Sequence, residues 1–326
     1  MIRSARVLSA ACYALLLLVC AVVAAEDKGT KAESRPEQEE KQRPFLRVSR
    51  DAEDNLLALQ AAIVRCVPED SSRKGPVVDL VSAVHVAEKS YYDELNRRFK
   101  RYDAVLYELV AAEGPKVPKG GGQTSSNPIS FLQKAITGIL ELEFQLNGID
   151  YTADNMVHAD MSPKQFAESM RKRGETALGM FLRMMKHAIA EQQNSAQVSD
   201  VELLRALFDK NRALALKRIL ARQFQDMEGM LTALDGPDGS TIISGRNKVA
   251  LEVLRKEIKS GKKKIAIFYG AGHMPDLLRR LEKDFAMTPE STSWVDAWQL
   301  VEKEKEKKKG EQKEQEKQKK QNGKKK

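Results

Sequence analysis

The stretch IAIFYGAGHMPDLLRR, residues 265–280, combines an apolar strand, a glycine-rich turn and the beginning of a helix. Its first five residues are β-branched, aromatic or small, which suits a buried strand. Glycine at Gly270 then allows a tight turn, and Pro275 suits the first turn of an amphipathic helix. The pattern therefore predicts that His273 lies at the carboxyl end of a strand and beside a helix N-terminus. Open α/β sheets bind their ligands at that edge.

The remainder of the chain predicts further strands and helices around this unit. Apolar segments of strand length recur at residues 45–48, 57–66, 77–86, 104–110 and 294–301. A helical pattern at residues 91–100 joins the third segment to the fourth, and this connection is long enough for a βαβ unit. Between about residues 129 and 240, apolar residues recur at helical spacing, which predicts a helical insertion. The predicted fold class is α/β, with a central mixed sheet and surrounding helices.

Two parts of the predicted sheet show the same order of features. A strand, His85, a helix containing DELNRRF and the strand YDAVLYEL match a strand, His273, a helix containing DLLRRLEKDF and the strand SWVDAWQL. We interpret them as two βαβ-like half-units, with chance similarity as the alternative. Symmetric pairing of the two halves would bring the two histidines together.

Both ends of the chain differ in composition from its body. Residues 1–25 contain two arginines before an apolar run and a small-residue cleavage site, as a secretory signal peptide does. We therefore predict an exported protein, periplasmic or extracellular, with anchoring in the membrane by an uncleaved signal as the alternative. Residues 26–43 are predicted to be a polar linker, residues 44–301 one domain, and the Lys/Glu-rich residues 302–326 a disordered tail.

The net charge of +9 is concentrated in these ends. The tail contributes +6 and the leader arginines +2, which leaves +1 for residues 26–301. A nearly neutral body argues against a nucleic-acid partner, and we expect only weak contact of the basic tail with anionic surfaces. Of the three cysteines only Cys66 lies outside the leader, so the processed chain is predicted to have no intramolecular disulfide. Its stability must therefore come from a buried core.

Four polar side chains are predicted to meet at the carboxyl edge of the sheet. His85 and His273 each follow a strand, and Glu108 lies near the end of another apolar strand. A carboxylate there is costly unless it is paired, hydrogen-bonded or bound to a metal. Arg246 lies in the first turn of a helix that we predict to be capped by Ser244, where a cation opposes the helix dipole. That helix runs antiparallel to the strand after it, which returns Arg246 to the same edge.

Two imidazoles and a carboxylate form a donor set that suits zinc, manganese, iron or cobalt. A metal ion could polarise a carbonyl group and activate water, while Arg246 holds an anion or the developing negative charge. The alternative is a polar network that closes the sheet edge without a metal. His158 and Asp160 would lie on one side of an extended segment. We predict His158 to be a further ligand, a substrate contact or a loop anchor, and single alanine substitutions in the site to cost little stability.

The usual catalytic signatures are missing from the sequence. It contains no HExxH, paired CxxC or GxSxG motif, which argues against zincins, zinc ribbons and hydrolases with a nucleophile elbow. GAGHMP also lacks the third small residue of a dinucleotide-binding fingerprint, and it comes late in the chain. The predicted chemistry therefore depends on the residues at the sheet edge.

The motifs GAGHMPDLLRRL, SGRNKVALEVLRKEI, and VDLVSAVHV followed by AVLYELV resemble the TraB/GumN family, which includes the TIKI-type proteins. The resemblance covers roughly residues 75–285. Residues 270–273 match the second Gly-x-x-His motif of that family, and residues 82–85 match the first, with Ser82 in place of glycine. Glu108 and Arg246 match the family's suspected active-site glutamate and arginine.

The resemblance implies a fold similar to the erythromycin-esterase/ChaN-like group and a divalent-metal-dependent hydrolase, with peptidases among the family's members. His85, His273 and Glu108 would then bind manganese, cobalt or zinc, with Glu108 as ligand or general base and Arg246 stabilising an anion. We therefore predict a hydrolase acting on a peptide or another small-molecule substrate. The alternative is a non-catalytic protein that sequesters a peptide, haem or a metal.

Overall fold

The computed structural model describes residues 44–70, 72, 75–111, 137–176, 179, 200–235 and 239–302. A mixed sheet with helices around it forms its centre, which confirms the predicted α/β class. The predicted signal peptide and linker, and almost all of the predicted tail, lie outside the described residues. Within the described part of the chain, no helix combines the length and the apolar character that crossing a membrane requires.

The described residues begin with four strands, and their elements between residues 163 and 259 are helical. The strands are β1 (Leu46–Arg50), β2 (Leu56–Pro68), β3 (Val77–Ala83), β4 (Val86–Ala87), β5 (Ala104–Tyr107), β6 (Glu143–Phe144), β7 (Met156–His158), β8 (Lys264–Gly270) and β9 (Met287–Gln299). The helices are α1 (Lys89–Phe99), α2 (Gln145–Gly148), α3 (Pro163–Arg173), α4 (Asp200–Leu207), α5 (Arg212–Asp235), α6 (Arg246–Lys259) and α7 (Met274–Phe285). A π-helical turn, Thr241–Gly245, precedes α6, and a 3₁₀ turn, Ala271–His273, precedes α7.

The order of strands in the sheet decides which loops meet. The order is β1-β2-β3-β8-β5-β7, and β9 also pairs with β2. The strands from β3 to β7 in this order are parallel, whereas β1, β3 and β9 are antiparallel to β2. Ala83 pairs with Gly270, so β3 and β8 end side by side. The carboxyl ends of β3, β8 and β5 therefore form one edge of the sheet.

The two predicted half-units are present as strand–helix–strand segments, but their strands interleave in the sheet. β8 lies between β3 and β5, while β3 and β2 lie between β8 and β9. His85 and His273 come together because β3 and β8 are direct neighbours, and not because two separate halves pair.

Apolar residues cover both faces of the sheet. Val81 and Phe268 belong to the core on one face, together with Tyr91 of α1. Ile267 belongs to the core on the other face, with residues of α6 and α7 such as Leu254. Burial on both faces explains why these strands are nearly continuous apolar runs in the sequence.

The segment predicted as a helical insertion also contains strands. β7 extends the central sheet beside β5, and β6 pairs with β4. Strands of two or three residues are too short for a periodic pattern to indicate them. The last strand likewise begins at Met287, seven residues before the predicted position, because its first half is polar and only partly buried.

Ser82 is a buried residue of β3 whose hydroxyl has no hydrogen-bond partner among the described residues. A buried polar group without a partner costs about 1–3 kcal/mol. We therefore predict that Ser82→Ala raises the free energy of unfolding by about 1 kcal/mol. Urea denaturation of both proteins measures the difference.

Ser244 provides the matched control because it is also buried but is hydrogen-bonded. Its Oγ donates to the Ser240 carbonyl oxygen at 3.0 Å and accepts from the Ser240 N–H at 2.9 Å. Ser244→Ala should therefore lower the free energy of unfolding by about 1 kcal/mol. A similar loss in both variants would contradict an unsatisfied hydroxyl at Ser82.

Candidate functional site

The four side chains predicted to meet at the sheet edge do so in the structure. His85 lies two residues beyond β3, Glu108 follows β5 directly, His273 ends the 3₁₀ turn after β8, and Arg246 is the first residue of α6. Gly270 lies between them. A Cβ atom built on Gly270 would be 3.3 Å from Glu108 Oε2, 3.5 Å from His85 Nε2 and 3.7 Å from His273 Cδ2.

The carboxylate of Glu108 lies at the centre of this cluster. Its Oε1 lies 2.8 Å from Arg246 Nη2 and 3.5 Å from His273 Nε2, and its Oε2 accepts a hydrogen bond from the Gly270 N–H at 2.6 Å. Burial raises the pKa of this carboxyl group, but Arg246 and the positively charged forms of the two histidines outweigh burial, so the pKa falls well below its usual value of 4.5. Glu108 is therefore ionised at neutral pH.

Arg246 joins Glu108 to Asp160, which had been predicted from a different motif. Arg246 Nε lies 2.9 Å from Asp160 Oδ1, and the side chain of Asp160 is fully buried. Burial lowers the pKa of the guanidinium, but the two carboxylates outweigh it and raise the pKa above its usual value. Two carboxylates and one guanidinium leave one net negative charge in the cluster.

The helix before Arg246 begins earlier than predicted. Its first turn is the π-helical turn, and Ser240 caps that turn by accepting a hydrogen bond from the Ile243 N–H at 3.1 Å. Ser244, the predicted cap, lies inside the turn instead. Arg246 therefore continues a helical segment, and its position is explained by the two carboxylates that it bridges.

Both imidazole rings of the cluster are held at Nδ1 by a side-chain amide. His273 Nδ1 lies 2.8 Å from Asn247 Oδ1, and His85 Nδ1 lies 2.8 Å from Gln145 Oε1. An amide oxygen only accepts hydrogen bonds, so Nδ1 carries the proton in each ring. In the neutral rings the lone pair is therefore on Nε2, the nitrogen nearest Glu108 and Gly270.

The approach of His273 to Glu108 is electrostatically favourable only when a cation lies between the two side chains. A lone pair on Nε2 and the negative Oε1 repel each other at 3.5 Å, unless a proton or a metal ion lies between them. Two ligands of a tetrahedral zinc ion, with bonds of about 2.1 Å, lie roughly 3.4 Å apart. The observed separation therefore fits two ligands of one metal ion.

Metal binding was predicted for His85, His273 and Glu108, and their chemistry fits it. Among the described residues, no three His, Cys, Asp or Glu side chains already form a group that could hold a metal ion. The donor set nevertheless offers two Nε2 lone pairs and an ionised carboxylate whose oxygens each keep a further lone pair. The net negative charge and the space beside Gly270, which a Cβ would fill, also suit a cation.

His158 takes a different position from Asp160. Its Nε2 donates a hydrogen bond to the carbonyl oxygen of Leu109 at 2.7 Å. This contact fixes the segment directly after Glu108 and favours the loop anchor among the three predicted roles of His158. Asp160, two residues later, belongs to the cluster through Arg246.

Several contributors to the site were not predicted from the sequence. Asn247 and Gln145 are buried polar residues whose roles depend on tertiary contacts. Gly270 was predicted to allow a tight turn, but its φ is −50°, which any residue can adopt. The absence of a side chain at Gly270 leaves open the space between Glu108 and the histidines, which a Cβ would enter.

Comparison of the chain with family models, with curated proteins and with solved structures finds no match in any of the three. The TraB/GumN resemblance therefore stays a prediction based on the motifs in the sequence. Its four key residues are His85, Glu108, Arg246 and His273, which converge in the structure.

Removing Arg246 would leave two buried carboxylates without their shared counter-charge. We therefore predict that Arg246→Ala lowers the free energy of unfolding by about 3–5 kcal/mol. This expectation replaces the small cost predicted from the sequence. Chemical denaturation of the parent and the variant measures it.

Arg50 offers a control because it pairs with Asp54, which is 82% exposed. An exposed ion pair contributes about 0–1 kcal/mol, so Arg50→Ala should change the free energy of unfolding by no more than that. Equal stability of the Arg246→Ala and Arg50→Ala variants would contradict the buried bridge.

Proposed function

We propose that the chain binds a divalent metal ion through His85, His273 and Glu108 and hydrolyses a peptide or a similar amide. The proposal is carried by one observation: Glu108 Oε1 lies 3.5 Å from Nε2 of His273, and Nδ1 of the same ring faces the amide oxygen of Asn247 at 2.8 Å. The second imidazole points its Nε2 at the same space. Three donors around one net negative charge favour a cation over an anion.

The donor types favour manganese, cobalt or zinc, because imidazole combined with carboxylate suits these ions. A metal ion bound there would polarise a substrate carbonyl and lower the pKa of a water molecule. The amides of Gln145 and Asn247 orient the two rings, as outer hydrogen-bond partners do for metal-binding histidines in general.

The low pKa of Glu108 supports one of its two predicted roles. An efficient general base has a pKa near the working pH, whereas the pKa of Glu108 lies well below 4.5. We therefore assign Glu108 the role of a ligand. Arg246 keeps that carboxylate ionised and, through Asp160, keeps it in place.

A non-catalytic protein that sequesters a metal, haem or a peptide is the second candidate. The two ion pairs of Arg246 favour this non-catalytic candidate. Because Arg246 already pairs with two carboxylates, its charge is largely neutralised and would stabilise an anionic transition state only weakly. The predicted role of Arg246 in holding an anion would require it to release one of these partners.

Calorimetric titration of the chelator-treated full chain with Mn²⁺, Co²⁺ and Zn²⁺, followed by peptide hydrolysis assays, tests the proposal. We expect one ion per chain and hydrolysis that depends on it. His273→Ala should weaken metal binding at least tenfold because it removes a ligand. Gly270→Ala should also weaken metal binding, because its Cβ would lie 3.3 Å from Glu108 Oε2 and displace that oxygen by a few tenths of an ångström.

Gly138→Ala is the control, because a Cβ at Gly138 would have no described atom within 4 Å beyond its chain neighbours and its own helix. Its metal affinity should equal that of the parent. Metal binding by the parent without hydrolysis of any peptide would favour the sequestering protein. A parent that binds no metal, or a Gly270→Ala variant that binds as the parent does, would contradict the metal site.

A further inference from the structure

The side chain of Asn247 connects His273 to α7. Asn247 is fully buried, and its Nδ2 donates to Asp276 Oδ2 at 2.9 Å and to the carbonyl oxygen of His273 at 3.1 Å. Its Oδ1 lies 2.8 Å from His273 Nδ1. The NH₂ group of this amide therefore faces Asp276 and the His273 carbonyl oxygen, while its oxygen faces the His273 ring.

Asp276 and the carbonyl oxygen of His273 together determine the orientation of this amide. A carboxylate and a backbone carbonyl only accept hydrogen bonds, so the NH₂ group of Asn247 must face them. A reversed amide would place Oδ1 against the carboxylate of Asp276 and would leave the N–H groups without these two acceptors. Because Oδ1 must then face His273, the Nδ1 of that ring must donate.

The carboxylate of Asp276 is itself held in one orientation. It is 7% exposed, Arg280 Nε lies 2.6 Å from its Oδ2, and Arg279 pairs with its Oδ1. Asp276 also lies in the first turn of α7, where the helix dipole favours a negative charge. The contact with Asn247 is therefore made from a fixed and charged acceptor.

We propose that Asp276 is a positioning residue that, through Asn247, keeps the proton of the neutral His273 ring on Nδ1 and the lone pair on Nε2, facing Glu108. The value of this arrangement for catalysis rests on the proposed function, but the arrangement itself does not. His85 is oriented by Gln145, whose Nε2 donates to the hydroxyl of Tyr151 at 2.9 Å. A hydroxyl both donates and accepts, so the carboxylate makes the His273 arrangement the more strongly determined of the two.

The test is the side-chain ¹⁵N chemical shifts of the histidines in the metal-free full chain at about pH 9, well above the usual histidine pKa of about 6.5. The His273 signals are assigned by their loss in His273→Gln. We expect a protonated Nδ1 and a bare Nε2 in the parent. In Asp276→Asn the amide of Asn247 loses its charged acceptor and keeps only the carbonyl oxygen of His273, so the Nε2-protonated form should appear beside the Nδ1-protonated form, and metal affinity should fall about 10–100-fold.

Two further variants separate positioning from stability. Arg280→Ala removes an ion pair of Asp276 but keeps its contact with Asn247, so the ring should stay protonated on Nδ1. Asp284→Asn lies in the same helix at an exposed position and should change nothing. An Nε2-protonated parent, an unchanged ring in Asp276→Asn, or the same change in Arg280→Ala would each overturn the proposal. A parent that fails to bind metal would contradict the proposed function alone, since the tautomer is measured without metal.

Discussion

The buried negative charge of Glu108 is the interaction on which the rest of the site depends. A carboxylate removed from water is costly unless other groups compensate it. Arg246 does so from α6, the Gly270 N–H does so from the end of β8, and Asp160, after β7, holds Arg246 in return. One charge thereby ties three strand ends and a helix together, which explains why so many ionisable groups lie at one edge of an otherwise apolar sheet.

The parallel pairing of β3 with β8 brings the two histidines to this charge. Their register ends at Ala83 and Gly270, so the segments after both strands begin next to each other. Amide oxygens then hold both rings at Nδ1 and leave Nε2 as the inward nitrogen. An arrangement with an ionised carboxylate, two inward lone pairs and one net negative charge is electrostatically incomplete without a cation, and this is the physical basis of the proposed metal site.

The sequence predicted the parts of the site that lie at the ends of long apolar runs. The positions of His85, Glu108 and His273 could be predicted because the apolar composition of a buried strand changes where the strand ends. The position of Arg246 could be predicted because the helix that it begins runs antiparallel to the next strand and so starts at the same sheet edge. The residues that hydrogen-bond to the two histidines could not be predicted. Asn247 and Gln145 act across 26 and 60 residues of sequence, and no local pattern carries such contacts. The strand β7 was too short for an alternating pattern of apolar residues to be visible in the sequence. The interleaving of the half-units could not be predicted because it depends on which strands pair with β2 and β8.

Anomalous X-ray diffraction from crystals of the full chain grown with Co²⁺ tests the central claim most directly. We expect one anomalous peak within bonding distance of His85 Nε2, His273 Nε2 and a carboxylate oxygen of Glu108. Both Nδ1 atoms should keep their amide partners. The absence of a peak at this position, with His273 Nε2 hydrogen-bonded directly to Glu108, would contradict the metal site, because a proton would then be the cation between these two residues.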